Sequence, residues 1–181
     1  MLPGNPLELL VNPVCVKYYV DTNHAGNMPK RLSHTGCIIY INNSPVVWYS
    51  KRQNTVECSS FGSEYVALII APELIEALRY KLRTFGIPIN GACDVFCGNK
   101  LVVTNSSVSS SALNKRHNVI CYHKVKEDQA DEIIRVGWIE GKLNITDVFT
   151  RTTMSRNDRH GMVESMFHNY EAPLRTKVYS C

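Results

Sequence analysis

Three acidic side chains stand where the sequence predicts the end of a strand or a turn of a helix. Asp21 ends an alternating apolar and polar stretch, Glu64 lies in the first turn of a long helical pattern, and Asp147 lies in a closing helix. Carboxylates that converge from distant positions suit divalent cations, and two such ions about 4 Å apart can activate a water on a phosphodiester. On spacing alone each acid also has a structural interpretation, as a turn residue (Asp21) or as an acid favoured by a helix dipole (Glu64 and Asp147).

The predicted elements would bring these acids together in a layered fold. Three strand-like stretches joined by short turns indicate an antiparallel meander, and a short apolar stretch after a long helix is typical of a buried parallel strand. The long helical pattern ends near Phe85, and Pro72 should kink or restart it. Strands are predicted at residues 14–21, 35–41, 46–51, 94–97 and 135–140, and further helices at 100–108, 119–134 and 144–154. This order predicts an α/β fold with a mixed sheet, and the core should include Trp48 and Trp138.

Size and composition predict one domain, or one domain with a tail. The chain has 181 residues, of which 44% are apolar. The predicted division is an irregular lead-in at residues 1–13, a domain at 14–154 and a C-terminal helix and tail at 155–181. No apolar run is long enough for a membrane span, and the first residues lack the features of a secretory signal. The expected location is therefore intracellular (cytoplasm, nucleus or organelle), and the chain is not expected to be secreted.

The net charge and the spacing of the cysteines limit which kinds of binding site the chain is expected to have. The net charge of +4, from 20 basic and 16 acidic residues, is compatible with a polyanionic partner but does not demand one. The seven cysteines include no Cys-x-x-Cys pair. That spacing argues against a zinc site and favours reduced thiols in the core.

Seven stretches of the chain occur in the order of one known family: Tyr19–Gly26, Arg31–Ile41, Trp48–Gln53, Ser60–Leu68, Leu78–Arg83, His117–His123 and Ile145–Thr150. They resemble the ribonuclease H domain at the C-terminal end of copia-type (Pseudoviridae-like) retrotransposon polyproteins. The resemblance covers about residues 14–154. It implies a ribonuclease H-like fold, with a five-stranded mixed sheet flanked by helices. It also implies hydrolysis of the RNA strand of RNA/DNA hybrids with two Mg²⁺ ions.

The resemblance assigns the family's catalytic, metal-binding acids to Asp21, Glu64 and Asp147. The family's remaining acid follows the central strand, where this chain has Gly98. Glycine offers no ligand, and Mg²⁺ requires near-octahedral oxygen coordination, so both the affinity and the geometry of the site should suffer. We expect Mg²⁺ to be weakly bound or absent, and hydrolysis to be abolished or lowered by several orders of magnitude.

A nucleic-acid surface would require cationic side chains along two phosphate backbones. The candidates are Lys51, Arg52, Lys100, Lys115 and Arg116. Basic residues on the exterior of an element are also commonly no more than a solvated surface. The modest net charge limits the electrostatic contribution to binding.

Two interpretations of function stay open. In the first, the chain is a stand-alone pseudoenzyme derived from a retrotransposon, and it serves as a binding or scaffold subunit that contacts other protein subunits. In the second, it is a fragment of a mobile-element polyprotein and still cleaves RNA/DNA hybrids as a Mg²⁺-dependent endoribonuclease. Gly98 favours the first, because relaxed catalytic constraint leaves packing intact.

Overall fold

Five strands and six helices make up the part of the chain that the computed structural model describes, which is residues 14–27, 30–87, 89, 91–107, 119–151 and 153–168. The strands are β1 (Val16–Asn27), β2 (Leu32–Ile41), β3 (Ser44–Arg52), β4 (Cys93–Cys97) and β5 (Ile134–Trp138). The helices are α1 (Ser60–Leu68), α2 (Ile70–Thr84), α3 (Lys100–Ser107), α4 (Val119–Ala130), α5 (Asp147–Thr150) and α6 (Arg156–His168). A 3-10 turn at Gly141–Leu143 precedes α5.

The strands form one mixed sheet in the order β3-β2-β1-β4-β5. Pairing is antiparallel between β1 and β2 and between β2 and β3, whereas β1 with β4 and β4 with β5 are parallel. Parallel neighbours need a long crossover, and helices lie in the chain before each parallel strand, α1 and α2 before β4 and α3 and α4 before β5. The predicted five-stranded sheet, with an antiparallel meander followed by parallel strands, is confirmed.

Alternation along the strands places a core on each face of the sheet. Tyr18 belongs to the larger core, and its neighbour Tyr19 belongs to the smaller core on the opposite face. The larger core includes Tyr65 of α1 and side chains of α2, α3 and α4. The smaller core reaches α6, where the Tyr40 hydroxyl donates a hydrogen bond to the Met166 carbonyl at 3.2 Å. The sheet is therefore covered on both faces near its central strand, β1.

The long helical pattern is divided in two, as Pro72 predicted. α1 ends at Leu68 and α2 begins at Ile70. Pro72 has no N–H to donate to the carbonyl of Leu68, four residues earlier, so a continuous helix would lose that hydrogen bond. The break leaves α1 mostly buried, while α2 keeps one side in solvent.

Two local predictions about the sheet were wrong. The sequence predicts that β1 ends at Asp21, but the strand continues to Asn27 because its pairing with β2 resumes after an irregularity that follows Asn23. The sequence also predicts Trp48 in the core. Its side chain is 52% exposed, since it lies on β3, an edge strand of the sheet.

The predicted division of the chain concerns its two ends. α6 supplies a helix within the segment 155–181, as expected. The predicted lead-in at residues 1–13 and the end of the tail at 169–181 lie outside the described residues, so the division of the chain stays a prediction. No described helix combines the length and apolar character that a membrane span requires.

Candidate functional site

The three predicted acids line one open pocket of about 360 Å³. Asp21 comes from β1, Glu64 from α1 and Asp147 from α5. They meet because β1 is the central strand of the sheet, and both α1 and α5 contact it. The pocket is also lined by Gly98, Asn99, Lys100, Gly141 and Arg151.

Glu64 lies in a buried position beside β4. The helix α1 begins at Ser60, because the Ser59 hydroxyl oxygen accepts a hydrogen bond from the Gly62 N–H at 3.2 Å. Glu64 is therefore in the second turn, one turn later than the sequence predicted. Its side chain accepts a hydrogen bond from the Cys97 thiol at 3.7 Å. Burial, and then the charge of Asp21, raise the pKa of Glu64 to about 8.

Asp147 is the first residue of α5 and is only 2% exposed. Its Oδ2 pairs with Nη2 of Arg151 at 2.8 Å. Burial, and then the charge of Asp21, raise the pKa of Asp147 to about 7, although the Arg151 guanidinium opposes this shift. The helix predicted at residues 144–154 is reduced to the four residues of α5.

Two side chains tie this short helix to β1. Asn144 Nδ2 donates to the Val20 carbonyl at 3.0 Å, while its Oδ1 accepts from the Thr146 hydroxyl at 2.6 Å. The Thr150 hydroxyl donates to Oδ2 of Asp21. A four-residue helix has little stability of its own, so these contacts fix its position. Sequence reasoning missed Thr150, because the contact joins residues 129 positions apart.

Arg151 was also missed, although the sequence contained a signal. It follows Asp147 by four residues, and acid and base at that spacing face each other on a helix. The arginine brings a positive charge to the edge of an acidic pocket.

Position 98 borders the pocket without a side chain. Gly98 follows the last residue of β4, and its carbonyl accepts a hydrogen bond from Trp138 Nε1 at 3.1 Å. A Cβ atom added at Gly98 would meet only Asn144 Nδ2, at 3.8 Å, within 4 Å. The packing leaves room for an acidic side chain at this position, so steric crowding does not explain why the residue is a glycine.

No protein-family model matches the chain. The retrovirus-related Pol polyprotein from transposon TNT 1-94 of Nicotiana tabacum is 26% identical over 136 residues, which is 75% of this chain. The Pol polyprotein from transposon RE2 of Arabidopsis thaliana is 22% identical over 140 residues, or 77% of this chain. The chain spans about a tenth of the length of these relatives. The secreted RxLR effector protein 161 of Plasmopara viticola is 39% identical over 66 residues, which is 36% of this chain and 45% of that protein.

Solved structures share the arrangement of strands and helices. The N-terminal ribonuclease H domain of rv2228c from Mycobacterium tuberculosis matches 84% of this chain and 98% of its own, with a TM-score of 0.55 and 15% identity. LC11-RNase H1, isolated from compost, matches 75% of this chain and 92% of its own, with a TM-score of 0.57 and 18% identity. The chain has the ribonuclease H-like fold. The sequence relatives of this ribonuclease H-like domain include Pol polyproteins of copia-type retrotransposons, as the resemblance predicted.

The carboxylate donors in the pocket of this ribonuclease H-like domain suit a hard cation such as Mg²⁺, and position 98, where the resemblance implies a further acid, is a glycine. Asp21, Glu64 and Asp147 already have a hydroxyl, a thiol and a guanidinium partner respectively. Among the residues described, no three His, Cys, Asp or Glu side chains are gathered into a metal-binding cluster. A cation would have to draw the carboxylates away from these partners. Asp94 cannot supply a further ligand to the pocket, because it lies at the other end of β4 and pairs with Arg135 at 2.7 Å.

Two of the predicted basic residues lie at the end of the sheet that carries Asp21. Asp21 is opposite Gly36 on β2, and Gly36 is opposite Ser50 on β3. Lys51 and Arg52 follow directly and are exposed at the end of β3.

Three predicted basic residues remain, and one of them, Lys100, lies at the pocket. Lys100 lines the pocket, and its Nζ lies 4.1 Å from the centre of the Trp138 ring. Lys115 and Arg116 lie outside the described residues. The nucleic-acid surface therefore stays a prediction.

Gly36 allows α5 to approach the sheet closely. A Cβ atom at this position would lie 2.7 Å from Cβ of Phe149 and 2.8 Å from Cγ2 of Thr150. We expect Gly36→Ala to lower the free energy of unfolding by about 1–3 kcal/mol, because α5 must move. The matched control is Gly98→Ala, which has free space and should stay within about 0.5 kcal/mol of the wild type. Urea denaturation measures both, and equal stability of the two variants would contradict this account of Gly36.

Proposed function

We propose that this ribonuclease H-like domain has lost the hydrolysis of RNA/DNA hybrids and acts as a binding or scaffold subunit that contacts other proteins. The observation that carries the proposal is Gly98, which borders the acidic pocket where the family has an acid. Hydrolysis with two metal ions requires both ions to be held about 4 Å apart by oxygen ligands. Three carboxylates with competing partners are a poor set for that task.

The remaining acids would hold at most a weakly bound ion in this proposal. When bound, Mg²⁺ would polarise a phosphoryl oxygen and lower the pKa of a bound water. Asp21, Glu64 and Asp147 would supply its ligands. Thr150 and Arg151 oppose this, because they hold two of the three carboxylates in their present positions.

A scaffold role is supported by β3. This strand lies at the edge of the sheet, so one side of its backbone has no strand partner among the described elements. It also exposes Val46, Val47 and Trp48. Exposed edge strands with apolar side chains readily add an extended segment of another chain. An extended segment of a partner protein is therefore the expected occupant.

The alternative function is that of an active Mg²⁺-dependent endoribonuclease that cleaves the RNA strand of RNA/DNA hybrids. It is supported by the meeting of three acids in one pocket. It is also supported by likeness to LC11-RNase H1 in complex with an RNA/DNA hybrid, which matches 71% of this chain with a TM-score of 0.51 and 17% identity. The likeness concerns the fold, so activity requires a direct test.

A single-turnover assay separates the two functions. We expect the purified chain, in excess over a labelled RNA/DNA hybrid, to cleave no faster than its Asp21→Asn variant in either Mg²⁺ or Mn²⁺. The variant removes a charged ligand while keeping the shape of the side chain, so it controls for contaminating nuclease. Metal-dependent cleavage by the wild type that disappears in Asp21→Asn would establish the enzyme and overturn the proposal.

The scaffold role is tested with a photo-crosslinking amino acid at position 48 of the full chain. We expect cross-links in a native extract from position 48 on β3 and none from position 85, where Phe85 is 78% exposed at the end of α2. Equal cross-linking at both positions would indicate non-specific contact. A monomeric mass without cross-links at position 48 would contradict the role of β3.

A further inference from the structure

Arg151 provides a permanent positive charge at the acidic pocket. Its backbone N–H donates to the Asp147 carbonyl at 2.9 Å, which fixes the residue at the end of α5. Its side chain then turns back one helical turn, and Nη2 reaches Oδ2 of Asp147 at 2.8 Å. Both residues line the pocket that also contains Asp21 and Glu64. The guanidinium therefore pairs with one of the carboxylates that would serve as ligands of a metal ion.

The two ends of this ion pair differ in their contact with solvent. The Asp147 side chain is 3% exposed, whereas the Arg151 side chain is 58% exposed. The carboxylate is therefore fixed within the protein, while the exposed guanidinium can move into solvent when another cation takes its place at the carboxylate. Such a cation can be displaced by a stronger one, so it competes for the carboxylate and does not block it.

The other cation at the pocket is engaged elsewhere. Lys100 Nζ lies over the Trp138 ring, at 4.1 Å from its centre. Among the described ion pairs of the pocket acids, the contact is made by Arg151. Of these two cations, Arg151 is therefore the one in contact with a carboxylate that a metal ion would use.

We propose that Arg151 is a tethered cation that competes with divalent metal ions for Asp147. The guanidinium neutralises the charge of the Asp147 carboxylate, and it occupies Oδ2, an oxygen that a metal ion would use. A hard divalent ion must displace the guanidinium and then tolerate its charge nearby. The inference rests on the proposed function only in taking this pocket as the remnant of a cation site.

The test is the binding of Mn²⁺ to the full-length chain, followed by the electron paramagnetic resonance signal of free Mn²⁺. We expect Arg151→Gln to raise the affinity for Mn²⁺ about tenfold, because a positive charge a few ångströms from the ion is removed. Arg151→Lys keeps the charge and should stay within about twofold of the wild type. Arg83→Gln removes an exposed charge at the end of α2, outside the residues that line the pocket, and should change nothing.

The gain should also depend on Asp147. The double variant Asp147→Asn with Arg151→Gln is expected to bind Mn²⁺ no more tightly than Asp147→Asn alone, because the competition is for that carboxylate. If Arg151→Gln does not fold by circular dichroism, Arg151→Met gives the same comparison and keeps the aliphatic stem.

An unchanged affinity in Arg151→Gln, or an equal gain in Arg83→Gln, would overturn the inference. Neither result would bear on the loss of hydrolysis, which the cleavage assay measures separately. Conversely, cleavage by the wild type would overturn the proposed function while leaving the competition at Asp147 to be decided by these affinities.

Discussion

Gly98→Asp is expected to increase hydrolysis of an RNA/DNA hybrid at least about a hundredfold over the wild type, measured under single-turnover conditions with Mg²⁺ or Mn²⁺. The substitution adds a carboxylate at the edge of a pocket that already contains Asp21, Glu64 and Asp147. Space is available, because a Cβ atom at position 98 meets only the Asn144 side-chain amide, at 3.8 Å. A fourth acid would supply the oxygen ligand that a second metal ion lacks.

The control for this gain is Gly98→Asn. Asparagine has the size and shape of aspartate but carries no charge, so it separates charge from a change in packing. We expect it to remain as inactive as the wild type. If Gly98→Asp folds with normal stability and still cleaves no faster than Gly98→Asn, the missing acid is not the reason for inactivity.

Glu64→Gln is expected to stabilise the fold at alkaline pH. The pKa of Glu64 is raised from 4.5 to about 8, first by burial and then by the charge of Asp21. The unfolded chain releases this proton near pH 4.5, while the folded chain retains it until about pH 8. Stability must therefore fall as the pH rises through this range, and the loss is complete above pH 8. Glutamine does not titrate, so it avoids a cost on the order of 5 kcal/mol.

Urea denaturation from pH 5 to pH 9, with a chelator present, measures this effect. The free energy of unfolding of Glu64→Gln relative to the wild type should increase across the range, with most of the change between pH 5 and pH 8. Glu76→Gln, at an exposed position on α2, is the control and should show a constant difference. A constant difference for Glu64→Gln as well would mean that the surroundings of Glu64 do not disfavour its charged form.

Most of the fold was predictable because it follows from periodicity along the chain. Alternation of apolar and polar residues predicted β1 as a strand, but not that both of its faces are covered, as the burial of Tyr18 in one core and Tyr19 in the other shows. Pro72 indicated the division of the long helix. The failure at Trp48 has a physical cause, since an apolar side chain in a strand is buried only if the strand is covered, and β3 is an edge strand.

The sequence predicted the three acids of the site, but not the side chains that contact them. Spacing alone left Asp21, Glu64 and Asp147 with structural interpretations, and the family resemblance brought them together. The contact of Thr150 with Asp21 joins α5 to β1, which are far apart in the chain, so no local sequence pattern reveals it. Arg151 could have been found from its spacing to Asp147.

A crystal of the wild-type chain soaked in Mn²⁺, with anomalous diffraction data, tests most directly whether the pocket has lost its paired metal site. We expect no pair of ions about 4 Å apart, and at most one partly occupied ion among Asp21, Glu64 and Asp147. Two fully occupied Mn²⁺ ions at that separation in the pocket, with Gly98 in place, would contradict the account.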